Sequence, residues 1–212
     1  MVSNNLMADK IILNYENSIL RQSDIDLLLG PHWLNDNLIG FWFEFLQNEL
    51  CHDSEACLIS PEVSQFIKLG SSEDTALMIE PLGLQSKSLI ILPINDSSSF
   101  DSPGGSHWSL LIYSRVEKTF YHLDSMGGIN SREANKTASK LKLSSLKMVE
   151  LDCAQQTNGW DCGIYVCCYA EKVINNCLLA DCSPKCLPDL DQNVVKKQRD
   201  MMLATISRLR LK

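Results

Sequence analysis

The chain predicts a single-domain α+β fold, with helices at both ends around a central antiparallel sheet. Three features of the 212 residues carry that expectation. A strongly apolar stretch of helical length, LIGFWFEFL, lies between about Asn35 and Leu50. Strand-length apolar segments cluster in the middle of the chain, and two more helical stretches close it, from about Cys162 to Asn175 and from Asp191 to Arg208. The length suits one domain, 1–212, that buries a sizeable core without staples.

Taken in order, Ser23 followed by Asp24 and Asp26 marks the start of a short helix that Gly30-Pro31 ends. The helix from about Asn35 follows and terminates near Leu50, where a polar Gln-Asn-Glu run appears. Ser60-Pro61 opens a third helix, with proline in its first turn. Leu89–Ile94 is a continuous apolar run of strand length, as expected of a buried strand. Residues 95–106 have the composition of a mobile loop. His107–Ser114 and Thr119–Asp124 form a hairpin with a loop of about four residues. Residues 131–143 read as a helix and Lys147–Leu151 as a short strand. Segment 176–190, rich in Cys and Pro, gives no clear element, so the packing of 175–212 is the least specified part.

The net charge of −7, without any Lys- or Arg-rich run, argues against a nucleic-acid partner or an anionic membrane surface. No apolar run approaches bilayer length, and the first twenty residues lack the pattern of a signal peptide. Nine cysteines, an odd number with an adjacent pair at 167–168, point to reduced thiols in the cytoplasm or nucleus. Cys177, Cys182 and Cys186 lie close together but form no Cys-x-x-Cys pair and have no nearby His, so no metal site is expected.

The chemistry resides in two segments. His107 opens one hairpin strand and Asp124 ends the other. With a four-residue loop Ser114 pairs with Thr119, so His107 faces position 126 and Asp124 lies diagonally beside it. A two-residue loop would put them directly opposite. Either register places both side chains on one face, because strand faces alternate with period two. An acid beside a His fixes its tautomer and stabilises the imidazolium. Alone, a His at a strand start is more often a surface or core residue than a catalyst. The second segment is Gln156-Thr-Asn-Gly-Trp-Asp-Cys162-Gly. A turn at Asn158-Gly159 delivers Cys162 to the first turn of an apolar helix, where unpaired N–H groups and the macrodipole favour a thiolate. Gly163 leaves the sulfur approachable. Gln156, six residues upstream, can return its amide to the same spot and form an oxyanion hole with the Cys162 N–H. Cys167 and Cys168, on the following turn, are better explained as buried apolar residues.

Together, His107-Trp108, Asp124 and Gln156-x-Asn-Gly-x-Asp-Cys162-Gly resemble the sentrin/SUMO-specific protease family of ubiquitin-like-modifier cysteine peptidases. Trp33-Leu-Asn-Asp36 is similar to the family's tryptophan-containing stretch, and the resemblance covers roughly residues 11 to 175. Three stretches look closest to the member that removes the neddylation modifier: Gly30–Asp36 with Ile39-Gly-Phe41, Leu92–Asp96, and Gly104–Tyr113. The resemblance implies a papain-like or adenoviral-protease-like fold and a His107–Asp124–Cys162 triad with Gln156 in the oxyanion hole. It implies cleavage after the modifier's Gly-Gly tail, with Trp33 and Trp108 covering that tail in a narrow tunnel. For both tryptophans the plain alternative is core packing. Asp36 either contacts the modifier or caps the second helix.

The expected activity is that of a cysteine deneddylase, with no cofactor, working as a monomer on the modifier's precursor and on conjugates such as cullins. Two alternatives stay within enzymes: a SUMO-directed or a ubiquitin-directed protease of the same family. A modifier-binding module without catalysis fits less well, because every catalytic position is filled. An acyltransferase would need a basic acyl-CoA site that the sequence does not show.

Overall fold

The computed structural model describes residues 9–51, 55–100, 104–143, 147–187 and 189–211. In chain order the elements are strands β1 (Ile11–Tyr15) and β2 (Ser18–Arg21), helices α1 (Gln22–Leu28) and α2 (Asp36–Leu50), and strand β3 (Ala56–Leu58). Helices α3 (Pro61–Leu69) and α4 (Ser72–Ile79) lead to strands β4 (Leu89–Asn95), β5 (Trp108–Ser114) and β6 (Thr119–Leu123). Helix α5 (Ser131–Leu141), strand β7 (Met148–Glu150) and helices α6 (Cys162–Val173) and α7 (Gln192–Leu209) complete the chain.

The five-stranded sheet has the order β3-β4-β5-β6-β7. Its middle, β4-β5-β6, is antiparallel as the sequence predicts, but β3 joins β4 and β7 joins β6 in parallel. The sheet is therefore mixed. Each edge strand is only three residues long and arrives through a helical crossover, which a period-two pattern cannot reveal. Helices cover both faces. Leu110, Ile112, Tyr121 and Leu123 pack with residues of α2, α6 and α7, whereas Leu111, Tyr113 and Phe120 pack with α3 and α5. Burial on both faces is why these strands read as continuous apolar runs rather than alternating ones.

Helix boundaries follow local capping chemistry. The Asn35 and Ser60 side chains accept hydrogen bonds from Leu38 N and Val63 N, and Asp191 accepts from Asn193 N. The expected cap at Asp36 is thus taken by Asn35, leaving Asp36 as the first helical residue. The β1-β2 hairpin and α4 are absent from the sequence reading. In the hairpin only Leu13 and Leu20 are buried while the equally apolar Ile11 and Ile19 are exposed, so its apolar residues do not mark one inner face. Glu44 of α2 secures its turn, accepting from Asn17 N, Asn17 Nδ2 and Ser18 Oγ. Segment 176–190 also gains a structure: α6 widens into a π-helical stretch, Ile174–Leu179, followed by a short 3-10 turn at Pro184–Cys186. Glu117, in the β5-β6 turn, accepts from Ser183 Oγ and pairs with Lys185 Nζ at 3.2 Å, which fastens this segment to the sheet.

Candidate active site

The hairpin has the four-residue loop, with Ser114 opposite Thr119 and Leu110 opposite Leu123. Continued by one residue pair at a time, that register brings His107 diagonally against Asp124. Their side chains meet with His107 Nε2 2.6 Å from Asp124 Oδ1, and both are almost fully buried. Met126 N donates to Asp124 Oδ1 and Asn130 N to Oδ2, each at 2.9 Å, so both carboxylate oxygens are held. Burial by itself would raise the Asp124 pKa. The His107 bond, then the two amides, reverse this and keep it below the usual carboxylate value.

His107 is oriented through its backbone as well. Its N–H donates to Asp96 Oδ1 at 3.0 Å, and its carbonyl accepts from Asn130 Nδ2 at 3.3 Å. Asp96 also accepts from Ser106 N and Ser106 Oγ, so one carboxylate closes the 97–105 loop onto the strand start. Gly105 adopts φ +90°, and a Cβ there would lie 2.0 Å from Asn95 Oδ1, so the loop returns past Asn95 only as glycine. Residues 101–103 of the loop expected to be mobile lie outside the described residues. The free imidazole nitrogen, Nδ1, is buried without a hydrogen-bond partner at bonding distance and has the Cys162 thiol as a neighbour. Burial would lower the His107 pKa. Asp124 and then Cys162 outweigh it and raise the value from 6.5 to about 9.

Cys162 begins α6 and is buried, and Gly163 behind it is needed for packing. A Cβ at 163 would approach Leu34 Cβ to 2.9 Å, so the glycine lets the helix start sit against the segment that carries Trp33. Cys167 and Cys168 are buried in the core as expected, and burial pushes the Cys168 thiol up to about 12. Burial likewise holds the Cys167 thiol well above its usual value. Gln156 lies in the loop ahead of Cys162. Its Oε1 accepts from Ser125 Oγ at 2.8 Å, and its Nε2 donates to Asn158 O at 2.6 Å. The amide is thus engaged through Nε2 within its own loop and through Oε1 by Ser125, just after β6.

A groove of about 630 Å³ runs up to Cys162, with Trp33, Asp36, Trp108 and Glu62 among its walls. Trp33 is 51 % exposed and donates from Nε1 to Gly159 O, bridging the groove wall to the loop ahead of Cys162. Trp108 is half-buried and donates to Leu34 O at 3.1 Å, so it serves packing and groove together. Asp96, Asn130 and Arg199 receive no role from the sequence, and Asn158 only that of a turn residue. Asp96 and Asn130 carry the weak local sign of polar, turn-forming residues near His107 and Asp124, whereas Arg199, on α7, carries none. Among the described residues, no group of three or more His, Cys, Asp or Glu is arranged to hold a metal ion.

The chain is similar to known proteins over most of its length. The family model described as Ulp1 protease family, C-terminal catalytic domain, matches residues 79–210. Sentrin-specific protease 8 of Rattus norvegicus is 44% identical over 177 residues, covering 79% of this chain and 81% of that protein. NEDD8-specific protease 1 of Arabidopsis thaliana is 37% identical over 179 residues, covering 80% and 77%. The fold matches the C-terminal Ulp1 protease domain solved in complex with Smt3, the yeast ortholog of SUMO. The TM-score is 0.72 at 22% identity, covering 96% of this chain and 90% of that one.

Proposed function

The chain belongs to the Ulp1 protease family of cysteine peptidases for ubiquitin-like modifiers, and on that premise we propose that it is a deneddylase that cuts after the modifier's C-terminal Gly-Gly. One observation carries the chemistry: buried His107 bonds Asp124 through Nε2 at 2.6 Å and has the Cys162 thiol as its other neighbour, an environment that raises its pKa to about 9. Such an imidazole can take the Cys162 proton and keep it. The thiolate attacks the carbonyl carbon of the terminal glycine, giving a tetrahedral oxyanion. The Cys162 N–H and the Gln156 amide stabilise it, with Gln156 exchanging its bond to Asn158 O for the oxyanion. The intermediate collapses as the C–N bond breaks, and His107 passes its proton to the leaving lysine amine. Water, deprotonated by His107, then hydrolyses the thioester and frees Cys162.

Trp33 and Trp108 wall the approach to Cys162, which supports a narrow seat for a tail without side chains. Asp36, whose Oδ1 accepts from Asn37 N at 3.1 Å, lines the same groove, where its carboxylate can meet a basic residue of the modifier. The name of the Arabidopsis thaliana relative, NEDD8-specific protease 1, supports NEDD8 as the modifier. The substrates in this reading are the modifier's precursor and its conjugates, cullins among them. The enzyme works as a monomer in the cytoplasm or nucleus, without a cofactor.

The test is labelling by NEDD8, SUMO and ubiquitin probes carrying a C-terminal cysteine trap, with wild type beside Cys162→Ala. Labelling of wild type alone, by the NEDD8 probe alone, is expected. Equal labelling by SUMO or ubiquitin would remove the modifier assignment, and no labelling of folded wild type would remove the catalytic one.

A further inference from the structure

Behind the site, the two walls of the groove are joined by a residue with no place in the reaction, Arg199 of α7. Its Nη1 donates to Leu27 O at 2.8 Å, and its Nη2 donates to His32 O at 2.7 Å and to Asp161 Oδ1 at 2.8 Å. His32 immediately precedes Trp33, and Asp161 immediately precedes Cys162. The network continues beyond Asp161. Its Oδ2 accepts from Asn158 Nδ2 at 2.8 Å, and Asn158 Oδ1 accepts from Trp160 N and Asp161 N at 3.0 Å. The Asn158 carbonyl is the group that receives the Gln156 amide. A single guanidinium on the C-terminal helix is thus bonded to the segment bearing Trp33 and to the loop bearing Gln156 and Cys162. The planar fork reaches three acceptors in different directions, which a lysine ammonium on its flexible stem would not reproduce.

Asp161 makes the arrangement informative. It stands at the N-cap of α6, where an aspartate ordinarily accepts from the first-turn amides, yet its side chain makes no capping bond. Its carboxylate is drawn instead to Arg199 and Asn158. Were it to turn inward, a negative charge would settle at the helix start beside Cys162, opposing thiolate formation and competing for N–H groups that favour an anion. The charged and titratable groups facing that end of α6 are His107 with Asp124 behind it and Asp161 with Arg199, while Asp36 and Glu62 line the same groove as Cys162.

We propose that Arg199 is a positioning residue: it holds the Asp161 carboxylate away from the first turn of α6 and fixes the Gln156–Cys162 loop against the Trp33 wall. This rests on the reading of Cys162 as the nucleophile. The test follows the iodoacetamide alkylation of Cys162 against pH, read peptide by peptide in a mass spectrometer, beside kcat and KM for cleavage of a NEDD8 C-terminal fluorogenic amide. Arg199→Ala should move the midpoint of Cys162 alkylation upward in pH and lower kcat at least tenfold. Adding Asp161→Asn to Arg199→Ala should bring the midpoint back towards wild type, because the displaced charge is gone. A folded Arg199→Ala protein with an unmoved midpoint and kcat within twofold would overturn the proposal. So would a shift that Asp161→Asn fails to reverse, which would mark Arg199 as a packing residue only. Arg199→Gln, which keeps most of the bulk, carries the same comparison should Arg199→Ala fail to fold. Because alkylation needs no modifier, a failure of the catalytic reading is separately visible as cleavage that survives Cys162→Ala.

Discussion

Replacing Asp124 by Asn changes one oxygen to an NH2 group and removes one charge from the centre of the site. The carboxylate accepts three hydrogen bonds, from His107 Nε2 and Met126 N on Oδ1 and from Asn130 N on Oδ2. The asparagine keeps two of the three by placing its NH2 at the Oδ2 position, facing the Asn130 N–H. That buried donor loses its acceptor, at about 1–3 kcal/mol of stability. His107 retains a neutral acceptor and hence its tautomer, so the main loss is electrostatic. In wild type the imidazolium is favoured by the rise from 6.5 to about 9, which at ~1.36 kcal/mol per pKa unit is roughly 3 kcal/mol net of the opposing burial, with Asp124 the larger favourable contributor and Cys162 the second. Losing most of Asp124's share, and loosening the ring, should lower kcat/KM about 10²–10³-fold. The assay is cleavage of a modifier–fluorophore amide from pH 6 to pH 10. The leaving amine needs the His107 proton, so the wild-type rate should fall on the alkaline side near pH 9, and in Asp124→Asn that limb should move to lower pH. Activity within threefold of wild type, with an unmoved alkaline limb, would refute the electrostatic role given to Asp124.

The same imidazolium also links stability to pH. Its folded pKa lies above the unfolded value, so the contribution is complete below about 6.5 and is lost as pH rises through about 9. Denaturant titrations of wild type should therefore weaken across that window, by at most about 3 kcal/mol from this group, and the slope should shrink in Asp124→Asn. Gly105→Ala forces a Cβ into the position of the Asn95 amide, which donates to the His107 carbonyl. Expected is a kcat/KM loss of about tenfold or more, and kinetics at the wild-type level would show that the loop does not set His107. Trp33→Ala removes a half-exposed ring from the groove wall, so thermal unfolding should barely change while KM for the modifier substrate rises. Unchanged KM would return Trp33 to a packing role. Gly163→Ala meets Leu34 at 2.9 Å and should destabilise by about 1–2 kcal/mol in urea unfolding, the overpacking outweighing the helix propensity of alanine.

The sequence by itself determined the features that depend on neighbouring residues and fixed periods. The alternation of strand faces places His107 and Asp124 together in either loop register, and the structure selects the four-residue one. The turn at Asn158-Gly159 and the apolar run after it put Cys162 at a helix start. Capping residues such as Ser60 and Asp191 mark helix boundaries because the bonds they make are local. Tertiary structure alone decided the rest. The parallel β3 and β7 edges are too short to carry a pattern, and in the β1-β2 hairpin apolar residues are both exposed (Ile11, Ile19) and buried (Leu13, Leu20), so composition does not mark the buried side. The same holds for the residues that aim the chemistry. Asn130 reaches His107 across 23 positions and Arg199 reaches His32 across 167, through single polar bonds. Such bonds leave no period in a sequence, because they join a side chain to a backbone carbonyl that only the closed fold brings within about 3 Å.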